Sequence, residues 1–593
     1  MKALQKRISH MQINACAPCC NQQPDSPCVK VGSLACKSCL MVAYCSKRCQ
    51  TAHWPTHRQD CQSPIMKGTW KPGWVTDNRL PAFMGYGGSD QVMFGVVKYL
   101  WGNVPAIDVI RLGQNEGIDY RDPINILFAG CYRSPLNIVI NDRDLDIVAR
   151  NLVFLLIMFV EEDPITAAEA LLHVWYSALV TELCYTLLQK KLKPIIQEVC
   201  DKVAGKPDHA LLGKTWTFGD NALRLILTRE AWMKLPEYFD VPPGMTADRA
   251  HAVRDAVVNA PSRADYVDRA LLTRLPAQGL GVIKFRKDGI LVPFGQHRKA
   301  FVLPNPTFFN SFNHWPMMDS ADPTNGWSLK TFLAIKAGPA KQDVYGQLHH
   351  YLKRMFADFH HHLRSKRVSF ELHHIDARNL GKTLTGRKFD RIEVSNICDA
   401  GYLGIRATLT TFGPLLSNPS TNAHATLITM FLNAVPESKN MFEMMDPVAA
   451  LTDKESDTRT IMRYIGSDVA PERGTFAQMA TRVQTSAIKL ADALSLVGDM
   501  DKYFDLYMHN LNFANAASTT GLTMKTKHTI VAPWPLRAKS DNPHPSQKER
   551  DDFKLLLGSG HIGHERYVEW KVDVNRGNTT ADMQVDEGEC VVS

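Results

Sequence analysis

Eight residues near the start of the chain have the types and spacing of metal ligands: Cys16, Cys19, Cys36, Cys39, Cys45, Cys49, His57 and Cys61. In Cys16-x2-Cys19 and Cys36-x2-Cys39 a two-residue gap lets both thiolates of one turn reach the same ion. In Cys45-x3-Cys49 and His57-x3-Cys61 a three-residue gap puts both ligands on one face of a helical turn. Thiolates and an imidazole in this pattern suit zinc, and eight of them complete two closed tetrahedral sites. Two further cysteines, Cys20 and Cys28, lie in the long gap between Cys19 and Cys36, and Cys20 stands open as a replacement for Cys19. His53 is another spare donor, for which a polar surface position is the favoured reading.

Zinc held only by protein ligands has no open position for chemistry, so no catalytic residue is expected here and function must come from the surface the metal supports. Ser46 is placed to cap a short helix carrying Cys49, Gln50 and Trp54. Gln50 and Trp54 are four apart and therefore neighbours on one helical face, an amide beside a flat indole.

The stretch from Cys16 to Cys61 resembles a MYND-type zinc finger through Tyr44-Cys45-Ser46-x2-Cys49-Gln50, Trp54, His57 and Cys61. The resemblance implies two interleaved zinc sites, Cys16, Cys19, Cys45 and Cys49 for one ion and Cys36, Cys39, His57 and Cys61 for the other. Such a cross-brace replaces the apolar core that a segment this short cannot build. The resemblance also implies a protein partner, because MYND fingers use residues matching Gln50 and Trp54 to hold short proline-containing peptides. A proline-rich segment is already extended and loses little entropy on docking against an aromatic ring. The competing reading is that Trp54 only covers the second zinc site.

Composition places these ligands in a large, ordinary globular chain. At 593 residues, 45% apolar and 22% charged, it is too long for one compact core. Nine of the 14 cysteines fall in the first 61 residues and the rest are scattered, which fits a reducing cytosolic or nuclear compartment and thiols used for metal. No apolar stretch follows Lys2, Lys6 and Arg7, so a secretory leader is not expected. The longest apolar run, Leu152 to Val160, is too short to span a bilayer. The net charge of +8 raises the possibility of nucleic acid. Most of it, +6, lies in residues 1–61, however, and seven zinc-bound thiolates with two zinc ions would bring the loaded finger to about +3, a weak footprint for phosphate binding.

The elements beyond the finger read as α/β. Ile124–Gly130 and Leu136–Asn141 read as strands and Asp146–Val160 as a helix. Residues 161–365 read as mostly helical, with Ala167–Leu188 and Gln347–Leu363 as examples. His349, His350, His360, His361 and His362 in the latter suggest a solvated histidine face rather than a metal site. Strand signals resume at Val368–His374, Phe389–Asn396 and Ala425–Leu432, the arithmetic of a doubly wound sheet split by a long insertion. Amphipathic helices, Phe476–Val497 and Asp499–Phe513, follow. The expected units are a finger at 16–61, a first sheet segment at 68–160, a helical insertion at 161–365, a second sheet segment at 366–440, a helical C-terminal region at 441–573, and a polar tail at 574–593 expected to be disordered.

Trp101-Gly-Asn-Val-Pro-Ala106, Leu127-Phe-Ala-Gly130 and Asn141-Asp-Arg-Asp144 to Ala149-Arg-Asn151 resemble an uncharacterised domain of fungal MYND proteins, related to the N-terminal part of dynein assembly factor 3. Phe389–Asn396 and Asn422–Ile428 look like its continuation. The resemblance implies a Rossmann-like core of the methyltransferase type. Such a core would bind S-adenosylmethionine at the carboxyl ends of its strands, and Gly130, Asp142 and Asp376 occupy the corresponding places. The loop Ala129–Pro135 has a single glycine where such loops carry two or three, and only five residues separate Gly130 from Leu136, too few for a crossover with its helix. The favoured reading is therefore a zinc-binding adaptor on a non-catalytic scaffold, and the alternative is a methyltransferase that recruits its substrate through the finger.

Overall fold

The computed structural model describes residues 19–23, 26–84, 94–109, 136–310, 314–445, 457–465, 476–538, 540, 542–561 and 563–573. The strand expected at Ile124–Gly130, and with it Gly130, lies outside them, as do Cys16 and the tail 574–593.

Near its start the chain forms a short antiparallel hairpin, β1 (Leu34–Ala35) and β2 (Ala43–Tyr44), and then helix α1 (Lys47–Cys61). Ser46 caps α1, its hydroxyl accepting the Cys49 N–H at 3.3 Å, as the sequence suggests.

Strand β3 (Leu136–Asp142) leads into α2 (Leu145–Val160), which Asp144 caps by accepting the Asp146 N–H. Every residue of α2 from Val148 to Phe159 except Asn151 is buried, so this helix runs through the core and not along its surface. Helix α3 (Pro164–Tyr176) starts at the Asp163 cap with proline in its first position. A hairpin follows, β4 (Leu211–Phe218) and β5 (Asn221–Thr228), turning at Gly219 with φ +62°. Next come α4 (Pro276–Asp288), α5 (Val344–Ser365), β6 (Val368–His374), β7 (Arg391–Glu393), β8 (Thr426–Phe431), β9 (Leu522–Met524) and β10 (Arg566–Val572).

Among the described residues the longer strands make two four-stranded sheets. The first has the order β3-β6-β5-β4, with β6 parallel to both β3 and β5 and only β4 antiparallel. The second has the order β7-β8-β10-β9, with β7 and β8 parallel and β10 antiparallel to both its neighbours. The largest apolar core surrounds α2, α3, α5 and the first sheet. A second core forms on β8 and β10 against helices Asp501–Asn510 and Phe513–Thr520, and Val139 of β3 packs on it. No described helix is long and apolar enough to cross a membrane.

The four strands expected at 136–141, 368–374, 389–396 and 425–432 are present, and the chain is a mixed α/β protein. Several features differ from the sequence reading: among the described residues the strands expected in one split sheet fall in two sheets, and the helix expected over Ala167–Leu188 ends at Tyr176 and is followed by a short strand, Leu179–Thr181. The stretch 161–365 contributes the β4–β5 hairpin to the first sheet, and the C-terminal region contributes β9 and β10 to the second. Strand β10 carries Glu569, fully buried, whose carboxylate accepts the backbone N–H groups of Thr529, Ile530 and Val531 and lies 3.2 Å from Lys525 Nζ. The Glu569 carboxylate is thus buried because both its oxygens are satisfied. Helix α5 is likewise no solvated histidine face: His349 and His360 are buried, and His360 Nε2 bonds the Glu161 carbonyl at 2.8 Å.

Candidate metal centre

Four backbone devices bring the Cys/His ligands together. The Cys36–Cys39 turn closes through Leu40 N–H to Cys36 O at 2.9 Å, with Leu40 at φ +53°, and Met41 N–H points at Cys39 Sγ from 3.5 Å. Hairpin β1–β2 carries the chain back, and Cys36 N–H bonds Val42 O. Helix α1 presents His57 and Cys61 on one face at its end and Cys49 in its first turn, beside Cys45. The segment at Cys19 is held by Cys19 N–H to Lys30 O, and Cys28 N–H bonds Asn21 O, so a closed loop sets Cys19 next to Cys28.

Two clusters result, each with its donor atoms within 4.8 Å of one another. Cys36, Cys39, His57 and Cys61 form an inner cluster, all four buried. Cys19, Cys28, Cys45 and Cys49 form an outer cluster in which only Cys19 is buried. Zinc–sulfur bonds of about 2.3 Å put the sulfurs of a tetrahedral site about 3.8 Å apart, slightly less when one donor is imidazole. The observed separations are 3.8 Å for Cys36 and Cys61, 3.4 Å for Cys39 Sγ and His57 Nε2, 3.6 Å for Cys28 and Cys45, and 3.5 Å for Cys45 and Cys49. The donor sets fit zinc in both size and chemistry. Burial, reinforced by His53 and Lys284 nearby, pushes His57 down to about 4, which keeps its ring in the neutral, metal-binding form at pH 7. Burial also pushes the Cys19 thiol up to about 12, so a cation is needed to hold it as thiolate.

The inner cluster is the one the spacing and resemblance imply. In the outer cluster Cys28 stands as the fourth sulfur beside Cys19, Cys45 and Cys49, and Cys16 lies outside the described residues. Cys20 does not replace Cys19: its sulfur accepts the Ala43 N–H at 3.4 Å and points to the body of the protein, against Gly295. His53 is no ligand either, since its Nδ1 bonds Tyr44 Oη at 3.0 Å and its ring stacks on His57. The sequence signal for Cys28 is its place as a surplus cysteine in an over-long gap.

The finger is seated on the rest of the chain. Met41, Val42 and Tyr44, each about 1% exposed, share one core with Val282, Phe285, Phe294 and Tyr345. Gln342 N–H bonds Leu40 O at 3.0 Å. Two body glycines make the fit possible: a Cβ at Gly279 would lie 2.6 Å from Ile65 Cδ1, and one at Gly295 would collide with Cys20 Sγ. On α1, Gln50 and Trp54 are half-buried; Lys47 Nζ donates to Gln50 Oε1 at 3.2 Å, and the Trp54 ring meets His57 edge-on at 5.9 Å.

The other expected site residues are brought to one end of the first sheet, where Asp142 pairs in register with His374, two residues before Asp376. Asp142 Oδ1 accepts the Asp144 N–H at 2.7 Å, and burial raises its carboxyl. Asp376 caps the short helix Ala377–Thr383, and both its oxygens are taken by Arg378, at 2.9 and 2.7 Å, which holds its carboxyl far below the usual range.

Residues 16–61 match the family described as MYND finger, and residues 131–180 match a family described as Domain of unknown function (DUF4470). No curated protein and no solved structure matches the chain. The segment with the two clusters is thus a MYND finger, a zinc-binding module of a kind that generally mediates protein interactions. The second match covers β3, α2 and α3, and its description carries no activity.

Proposed function

We propose that this chain is an intracellular adaptor that binds two zinc ions through the inner and outer clusters and captures a short, proline-containing peptide of a protein partner with Gln50 and Trp54. The observation that carries the reading is the pair of tetrahedron-sized Cys/His clusters that fix α1 at both ends. They hold a half-buried indole and an amide on one helical face. Trp54 does serve to cover His57, and its remaining surface offers an aromatic platform for proline.

The body serves as a scaffold of the methyltransferase type. What supports this is the order of the second sheet, two parallel strands followed by a reversed strand inserted before the last. Catalysis is not proposed, because the carboxylate expected to meet a cofactor after β6 is consumed by Arg378.

Trp54→Ala tests the peptide site. It removes no ligand, so the protein should keep both zinc ions and its fold while losing its affinity for a proline-containing peptide in a fluorescence titration. One aromatic anchor is worth about 2 kcal/mol, or a roughly thirtyfold weaker Kd. Unchanged affinity with zinc retained would leave Trp54 as a cover for the inner cluster alone.

A further inference from the structure

The two clusters lie on the same small finger, yet an oxidant dissolved in water meets only one of them. The inner donors are 2 to 7% exposed, whereas Cys28, Cys45 and Cys49 of the outer cluster all reach the surface. A zinc-bound thiolate at the surface remains a nucleophile, and oxidation follows thiolate character and exposure. Within the outer cluster the partners are unequal. Cys49 is fixed in the first turn of α1, its N–H held by Ser46. Cys28 belongs to no regular element and is tied to its neighbours by Cys28 N–H to Asn21 O. A disulfide needs its sulfurs about 2.0 Å apart. Cys28 and Cys45 Sγ start at 3.6 Å, and a loop cysteine closes that distance with less disruption than one locked into a helix.

We infer that the outer cluster is a peroxide-responsive switch, in which oxidation joins Cys28 to Cys45 and releases one zinc ion while the inner cluster keeps the finger seated on the body. The co-reactant is hydrogen peroxide. The Cys45 sulfur attacks one peroxide oxygen, the O–O bond breaks, and the sulfur becomes a sulfenic acid as hydroxide leaves and takes up a proton. The Cys28 thiolate then attacks that sulfur, the S–S bond forms, and a second hydroxide leaves and is protonated to water. Two thiolates lose two electrons in all, and one peroxide becomes two waters. With two of four ligands gone, Cys19 and Cys49 cannot retain the ion. The start of α1, with Gln50 next to Cys49, loses its anchor, so the proposed peptide site is loosened. Reduction by a small thiol reverses the bond and lets zinc return.

The inference rests on zinc filling both clusters, and the purified full-length protein shows first whether it does: a chain without zinc refutes the metal assignment itself, independently of the switch. For the loaded protein, hydrogen peroxide is added with a chromogenic zinc indicator and the product is mapped by mass spectrometry. The expected result is release of one of the two ions, a Cys28–Cys45 disulfide, an intact inner cluster, and recovery of the second ion after dithiothreitol and zinc. Cys28→Ser should carry a single ion that the same peroxide dose does not release. If that variant does not fold, the disulfide map of the unaltered chain decides. Release of both ions together, no release, or a disulfide elsewhere would overturn the inference.

Discussion

The inner and outer metal clusters differ in their surroundings far more than in their ligands. The inner set is enclosed on one side by α1 and on the other by hairpin β1–β2, whose residues Met41 to Tyr44 are inserted into the largest core of the protein. The outer set is held by the segment around Cys28 and the first turn of α1, with three of its four cysteines only half-buried. Metal at the inner cluster therefore stabilises the seat of the finger on the body, and metal at the outer cluster stabilises only the local arrangement around Cys28 and Gln50. A zinc finger of this kind is one half a structural part of its neighbour and one half an accessible module.

The sharpest way to break that comparison is to remove one ligand from each cluster. Cys36→Ser should lose the inner ion and leave unligated thiols and His57 in the core. Because structural zinc supplies much of a finger's folding free energy, the calorimetric Tm of the whole chain should fall by many degrees. Cys28→Ser should lose one ion with a change of only a few degrees in the main transition. Equal losses for the two variants would show that the finger is a separate unit whose clusters matter alike to the body.

A smaller effect is expected at the seat itself. Gly295→Ala places a methyl group against Cys20 Sγ, an overpacking that costs about 1–3 kcal/mol. Cys20→Ala in the same chain should restore part of it, since the sulfur that collides is gone while Cys20 Cβ still lies 2.9 Å from the added atom. Chemical denaturation of the two single variants and the double variant measures the coupling. Strict additivity would mean that the finger does not press on the loop at Gly295.

The inner cluster was legible because spacing marks its two local pairs, Cys36/Cys39 and His57/Cys61, and the resemblance to a MYND finger joins them on one ion. Cys28 was not, because what brings it to Cys45 is the short antiparallel pairing of Gln22–Gln23 with Ser26–Pro27, extended by Cys28 N–H to Asn21 O, and such polar residues do not announce themselves as strands. Strands β3 and β8 stood out as short apolar runs bounded by turn residues, and β6 and β7 as alternation of apolar with polar residues. Strand β4 alternates in burial from Leu211 to Phe218, but its residue types do not, since Leu211 and Leu212 are both apolar and Lys214 and Thr215 both polar, and it lies inside a stretch dominated by helical patterns. Strand β10 gave no such signal, since Arg566, Glu569 and Lys571 read as exposed. Arg566 lies 3.9 Å over the Trp534 ring and bonds Asp501 at 3.2 Å, and Glu569 gathers three backbone N–H groups, so partners far away in sequence offset their burial. Asp142 and Asp376 show the reverse case: their positions at the strand ends were legible, and the local bonds to Asp144 and Arg378 that occupy them were not.

The central claim, two zinc ions in unlike settings on one finger, is tested most directly by native mass spectrometry of the full-length chain during titration with a zinc chelator. The structure predicts a two-zinc species that passes through a well-populated one-zinc species, folded and retaining its inner ion, before the last ion leaves together with the main unfolding transition. Passage from two ions to none without that intermediate, or a purified chain that binds a single ion, would contradict it.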